Sequence, residues 1–171
     1  MRIFTLLFRN IFFFLLCQVF CPCNLFGNPF SISTSFPPDI QTASSVFSKY
    51  VEVYGLRILA TTDVPDLKVM HTAHVLAEYL DNNEDGMIDQ PEVLNALLGS
   101  SNSTISTMVL FASENEEESF ASSLGTLQAT ITRSQNLYAE EIFENGSLGS
   151  NRDATLEEVL HLVTDKGWDE A

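Results

Sequence analysis

The stretch from Asp81 to Glu92, DNNEDGMIDQPE, constrains the fold of this chain more than any other part of it. Asp81, Glu84, Asp85, Asp89 and Glu92 crowd their carboxylates into one short run. Like charges at that density repel one another unless a counter-charge or a solvated turn takes them up. The run also contains Gly86, suited to a left-handed turn, and Pro91, suited to the first position of a helix. Both flanks are apolar at helical spacing. Ala73, Leu76, Ala77 and Leu80 form one stripe before the run, and Val93, Ala96 and Leu97 form another after it. The expected unit is a helix from Asp66 to Leu80, an acidic loop, and a helix from about Pro91 to Leu98.

Oxygen donors at this spacing suit a hard, loosely coordinated cation. Calcium takes six to eight such donors, and a loop of this length can wrap one ion. The pattern D-x-[DN]-x-[DN]-G-x5-E is met in full. Asp81, Asn83 and Asp85 supply side-chain oxygens, Met87 its backbone carbonyl, Asp89 a direct or water-mediated contact, and Glu92 a two-oxygen closing ligand. Ile88 is the apolar residue that pins such a loop to a neighbour. On these residues, 67–98 resembles an EF-hand of the calmodulin superfamily. The resemblance implies one bound Ca2+ and pairing with a second loop through the position of Ile88. No second loop is visible: Gly146 to Glu158 ends in acid but lacks the early ligands. Ile88 must therefore pack on a degenerate partner, on another part of the domain or on a second chain. A lone loop points to a structural ion rather than a sensor, with the weak affinity of extracellular modules, about 10⁻⁴ to 10⁻³ M.

The start of the chain reads as a secretory leader over 1–27. Arg2 and Arg9 precede an apolar run from Ile11 to Phe20, followed by small and turn-forming residues. That run is short of the roughly 20 residues that span a bilayer, so no stable membrane span is expected in the mature chain. An uncleaved leader anchoring the protein in a membrane is the rival reading. Cys17, Cys21 and Cys23 all lie in or beside the leader, so a cleaved chain would hold no disulfide framework. Asn102 and Asn145 each open an N-x-[ST] sequon, which fits secretion. The net charge of −15 excludes nucleic acid as a partner and leaves room for an extracellular protein partner. Glu114 to Glu118 reads as a solvated acidic surface.

The histidines offer a different chemistry. His71, His74 and Glu78 share one face of the first helix and could hold zinc. In Leu156 to Val163, LEEVLHLV, the residues Glu157, Glu158 and His161 resemble the H-E-x-x-H helix of the zincins with the first histidine replaced. That resemblance implies Glu157 and His161 as zinc ligands and Glu158 as general base in a secreted zinc-dependent metallohydrolase, or a truncated relative. The competing reading is an amphipathic helix with Leu156, Val159, Leu160 and Val163 inward and Glu157 and His161 as an exposed pair one turn apart.

Around these segments, 28–38 reads as a linker and 39–171 as a single α+β domain of several helices and a few short strands. Asp39 to Lys49 has weak helical character. Val51 to Thr61, interrupted by Gly55, suggests two short strands or one bulged strand. Thr107 to Ala112 suggests a buried strand, and Glu114 to Leu124 a helix. Asn136 to Phe143 fits either type. A last helix opens at Asn151 or Asp153 and runs to about Lys166, with Gly167 as its stop.

Overall fold

Two strands buried at every position set the architecture, because both faces of their sheet must be covered. The computed structural model describes residues 30–144 and 152–171. The leader with its cysteines, the sequon at Asn145 and the helix start suggested at Asn151 lie outside the described residues. Strands β1 (Lys49–Val53), β2 (Leu56–Ala60), β3 (Thr107–Phe111) and β4 (Ser134–Tyr138) form one sheet in that order. β1 and β2 form an antiparallel hairpin, with Lys49 opposite Ala60 and Val53 opposite Leu56. β2–β3 and β3–β4 are parallel. The interruption at Gly55 is a two-residue turn, with Tyr54 at φ +50° and Gly55 at φ +86°, the left-handed pair that suits a tight hairpin.

Parallel neighbours need crossovers. The first runs through α1 (Asp66–Leu80), the acidic loop and α2 (Pro91–Leu98). The second runs through α3 (Glu114–Ser119) and α4 (Ala121–Leu127). After β4 the chain makes a short 3₁₀ turn, Ala139–Glu141, and later enters α5 (Thr155–Val163), which ends in a π turn, Thr164–Trp168. α1, α2 and α5 cover one face, where Val69, Leu76, Val93, Leu97, Val159 and Leu162 pack on Ile58, Met108 and Leu110. On the other face, Ile40, Phe47 and Leu127 pack on Leu59, Val109 and Phe111. This is a single-domain α+β arrangement around a small mixed sheet. Among the described residues no helix is long and apolar enough to cross a membrane.

Several expectations change in detail. Asp39 to Lys49 is a kinked 3₁₀ segment, Pro38–Ser45, broken at Ile40 where φ is −122°. The helix suggested over Glu114 to Leu124 is two short helices divided at Phe120. The ambiguous segment begins as a strand and ends as a 3₁₀ turn. Residues 31–37 carry no helix but are tied to the sheet edge: Ser33 and Tyr50 exchange two backbone hydrogen bonds of 2.8 Å, and Phe36 is buried. In α5 the inward residues are Thr155, Val159, Leu162 and Val163, whereas Leu156 and Leu160 are exposed at 51 % and 43 %. Gly167 does not stop the chain. It is buried inside the π turn, where an added Cβ would meet Val93 Cγ1 at 2.8 Å. Glycine there lets the last turn close on α2.

Candidate metal site

Both helices that hold the acidic loop are set by local chemistry. Pro65 precedes α1 in an extended conformation, and Asp66 in the first turn complements the helix dipole. α2 starts with Pro91 at its first position and closes at Gly99, whose N–H bonds Ala96 and Asn95 carbonyls at 3.1 Å. The C-terminal turn of the chain packs along α2. Arg133 then ties the pieces together, donating to the Ala96 carbonyl (2.8 Å), the Thr104 carbonyl (3.2 Å) and the Lys166 carbonyl. α1 and α2 therefore meet the loop from fixed directions.

Asp81 caps α1 and is the loop's interior residue, 5 % exposed. Its Oδ1 accepts the Asp85 N–H at 3.1 Å and its Oδ2 accepts the Gly86 N–H at 2.9 Å. Asn83 Oδ1 also accepts the Asp85 N–H, at 3.1 Å, and Asp85 Oδ1 accepts the Met87 N–H at 2.9 Å. Gly86 adopts φ +83°, with open space where a Cβ would be, so backbone conformation rather than room selects glycine here. Asp81, Asn83 and Asp85 are thereby gathered on one side of a tight curl. Asp89 lies elsewhere in the loop: its Oδ2 accepts the Asn82 N–H at 2.8 Å, and its own N–H bonds the Leu80 carbonyl at 2.9 Å. Met87 and Glu92 are exposed. Ile88 is half-buried and packs into the core shared by α1, α2 and α5.

The all-oxygen donor set fits calcium in kind. Among the described residues, however, no three His, Cys, Asp or Glu side chains converge at metal-holding distance. Asn83 and the Met87 carbonyl fall outside that set by residue type, and Asp89 is drawn to Asn82.

The histidines go separate ways. His71 Nε2 lies 2.7 Å from Asp153 Oδ2, joining α1 to the start of α5. His74 packs edge-on against Phe30, with ring centroids 5.7 Å apart, and Glu78 is exposed. Asp153 is 4 % exposed. Burial pushes its carboxyl up, but hydrogen bonds from Thr155, His71 and Phe143 outweigh that and hold it below the ordinary aspartate value. Glu157 and His161 face each other at 4.0 Å, both half-exposed, on the lip of a groove of about 450 Å³ with Tyr79, Leu156 and Leu160. Glu158 turns to the sheet instead, accepting from Gln135 Nε2 at 2.6 Å. The fold therefore does not bring Glu157, Glu158 and His161 to one centre.

No family model matches this chain, and comparison with curated proteins and with solved structures gives no significant match.

Two features escaped the sequence reading. Glu116 and Glu117 are not merely solvated. Glu116 Oε2 accepts from the Thr61 hydroxyl (2.9 Å) and the Ala112 N–H, while Glu117 accepts from Asn136 and from the Tyr138 hydroxyl, both at 2.6 Å. They fasten α3 to the ends of β2, β3 and β4. The second is Tyr54, whose hydroxyl donates to Asp81 Oδ2 at 3.3 Å from the β1–β2 turn. The interruption at Gly55 was visible in the sequence; the contact of Tyr54 with the acidic loop was not.

Proposed function

We propose that this chain is a secreted calcium-binding protein in which one EF-hand-type loop, Asp81 to Glu92, holds a structural ion. One observation carries the reading: the buried Asp81 carboxylate receives the N–H groups of both Asp85 and Gly86, curling the loop around its first expected ligand. Asp81, Asn83, Asp85, the Met87 carbonyl, Asp89 and Glu92 would hold the ion, with water completing the shell. A bound cation supplies the counter-charge that five crowded carboxylates otherwise lack. It also links α1 to α2 in a chain whose cysteines all fall in or next to the expected leader. Asn102 is exposed at the start of a 3₁₀ turn, Asn102–Thr104, which suits an N-linked glycan on a secreted protein.

The test is metal content. The protein is made in a secretory host, dialysed against millimolar calcium with trace zinc, and both ions are counted by mass spectrometry. One calcium per chain and no zinc supports the reading. A calcium-free protein overturns it, and stoichiometric zinc would redirect attention to Glu157, His161, His71 and His74.

A further inference from the structure

The β1–β2 turn places a bulky aromatic, Tyr54, at a left-handed backbone position, φ +50°, where Gly, Asn or Asp is the usual choice. The ring packs against the core beneath α1 and α2. Its neighbour Gly55 is pressed on α2, since an added Cβ would lie 3.0 Å from Leu98 Cδ2. The turn is thus wedged beside the helices that carry the acidic loop, and the Tyr54 hydroxyl reaches Asp81 Oδ2 at 3.3 Å. That oxygen also accepts the Gly86 N–H. With Oδ2 held by two donors, Oδ1 stays turned toward the Asp85 N–H that it shares with Asn83.

We infer that Tyr54 is a positioning residue of the calcium loop: from a strand turn outside 67–98, it fixes the rotation of the Asp81 carboxylate. The inference rests on the proposed reading of that loop as a calcium site. The terminal torsion of an aspartate is soft, so an unanchored carboxylate must be ordered when an ion binds. A hydroxyl that holds it beforehand removes that cost and strengthens binding. In paired loops the neighbouring loop supplies bracing. Here the sheet supplies it, which explains how an isolated loop keeps its shape.

Calcium is titrated calorimetrically into the secreted protein, its Tyr54→Phe variant and its Glu92→Gln variant, and the near-ultraviolet tyrosine absorbance of each is followed. Tyr54→Phe should bind about fivefold more weakly, as expected for one lost hydrogen bond. It should also lose a calcium-dependent absorbance change that the unmodified protein displays. Glu92→Gln should bind far more weakly yet keep Tyr54 on Asp81. Unchanged affinity in Tyr54→Phe overturns the inference while leaving the loop reading intact. Absence of binding by the unmodified protein overturns both. Should Tyr54→Phe fail to fold, the unmodified protein decides the matter, because calcium binding without any tyrosine absorbance change refutes the coupling.

Discussion

Replacing Asp81 by alanine separates two tasks of one carboxylate: organising the loop and, on the proposed reading, binding the ion. The side chain is 5 % exposed and accepts hydrogen bonds from Asp85, Gly86 and Tyr54. Asp85 and Gly86 are themselves exposed, so water can replace part of what their N–H groups lose. Tyr54 is half-buried and recovers less. Three bonds, partly rehydrated, put the calcium-free loss at about 1–3 kcal/mol. Relief of carboxylate repulsion returns a few tenths of that. For a domain of this size each kcal/mol moves the thermal midpoint by about 2–5 °C, so the variant should melt about 1–14 °C lower in chelator. Calcium at about a hundred times its dissociation constant adds about 2.7 kcal/mol to the unmodified protein. Asp81→Ala should gain almost none of that. Glu92→Gln is the contrast: the Glu92 side chain is exposed, with no hydrogen bond or ion pair among the described residues, so this variant should match the unmodified protein in chelator and lose only the calcium increment. The assay is thermal unfolding by circular dichroism with and without calcium. If Asp81→Ala melts normally in chelator, the hydrogen-bonded curl is wrong. If it keeps the full calcium increment, the ion is not in this loop.

Gly167→Ala forces a Cβ to within 2.8 Å of Val93 and 3.2 Å of Leu97, so overpacking should cost about 1–3 kcal/mol. A lower urea midpoint at unchanged slope would show it, and an unchanged midpoint would contradict the packing of the last turn on α2. The depressed carboxyl of Asp153 predicts an acid-sensitive link between α1 and α5. The unfolded chain takes up the proton first, so the link contributes fully above the unfolded value near 3.8 and is lost as the pH falls through the lower folded value. Glu141 opposes this, because burial, together with Glu158, Glu140 and Glu114, raises its carboxyl above 4.5 and protonation then favours the fold. Asp153→Asn should flatten the loss of stability below about pH 4, measured by urea unfolding across pH. An acid limb as steep as that of the unmodified protein would refute the assignment.

Boundaries were legible wherever a residue with one strong backbone preference marked them. Pro65, Pro91 and Gly99 bracket α1 and α2, which span the residues expected of them. Gly55 marked the hairpin for the same reason. The face of α5 was not legible, because Leu156 and Leu160 give one apolar stripe while Val159, Leu162 and Val163 give another. Only the position of the sheet decides between them. Nor could the break at Phe120 be read from an acidic, serine-rich segment with no proline. Glu116 and Glu117 looked like part of a solvated run because Thr61, Asn136 and Tyr138 approach them only through the tertiary fold. The loop itself was legible as a pattern of oxygen donors, and its dependence on Tyr54 was not, because a hydrogen bond across 27 positions leaves no local trace.

The surroundings of the loop bear on what an ion there could do. A sensor needs two helices free to change their angle, so that binding exposes a buried surface. Here α1 is fastened to α5 by His71 and Asp153, and α2 is fastened to the C-terminal turn by Arg133 and by Gly167 on Val93 and Leu97. Ile88 adds the loop to that same core, and Tyr54 adds the sheet. Opening the helices would break all of these contacts together, at a cost of several kcal/mol. A weakly held ion, with only about 3 kcal/mol to offer at a hundredfold excess, could not drive it. On the proposed reading the ion therefore consolidates an arrangement the domain already imposes, and its removal should lower stability without opening the fold.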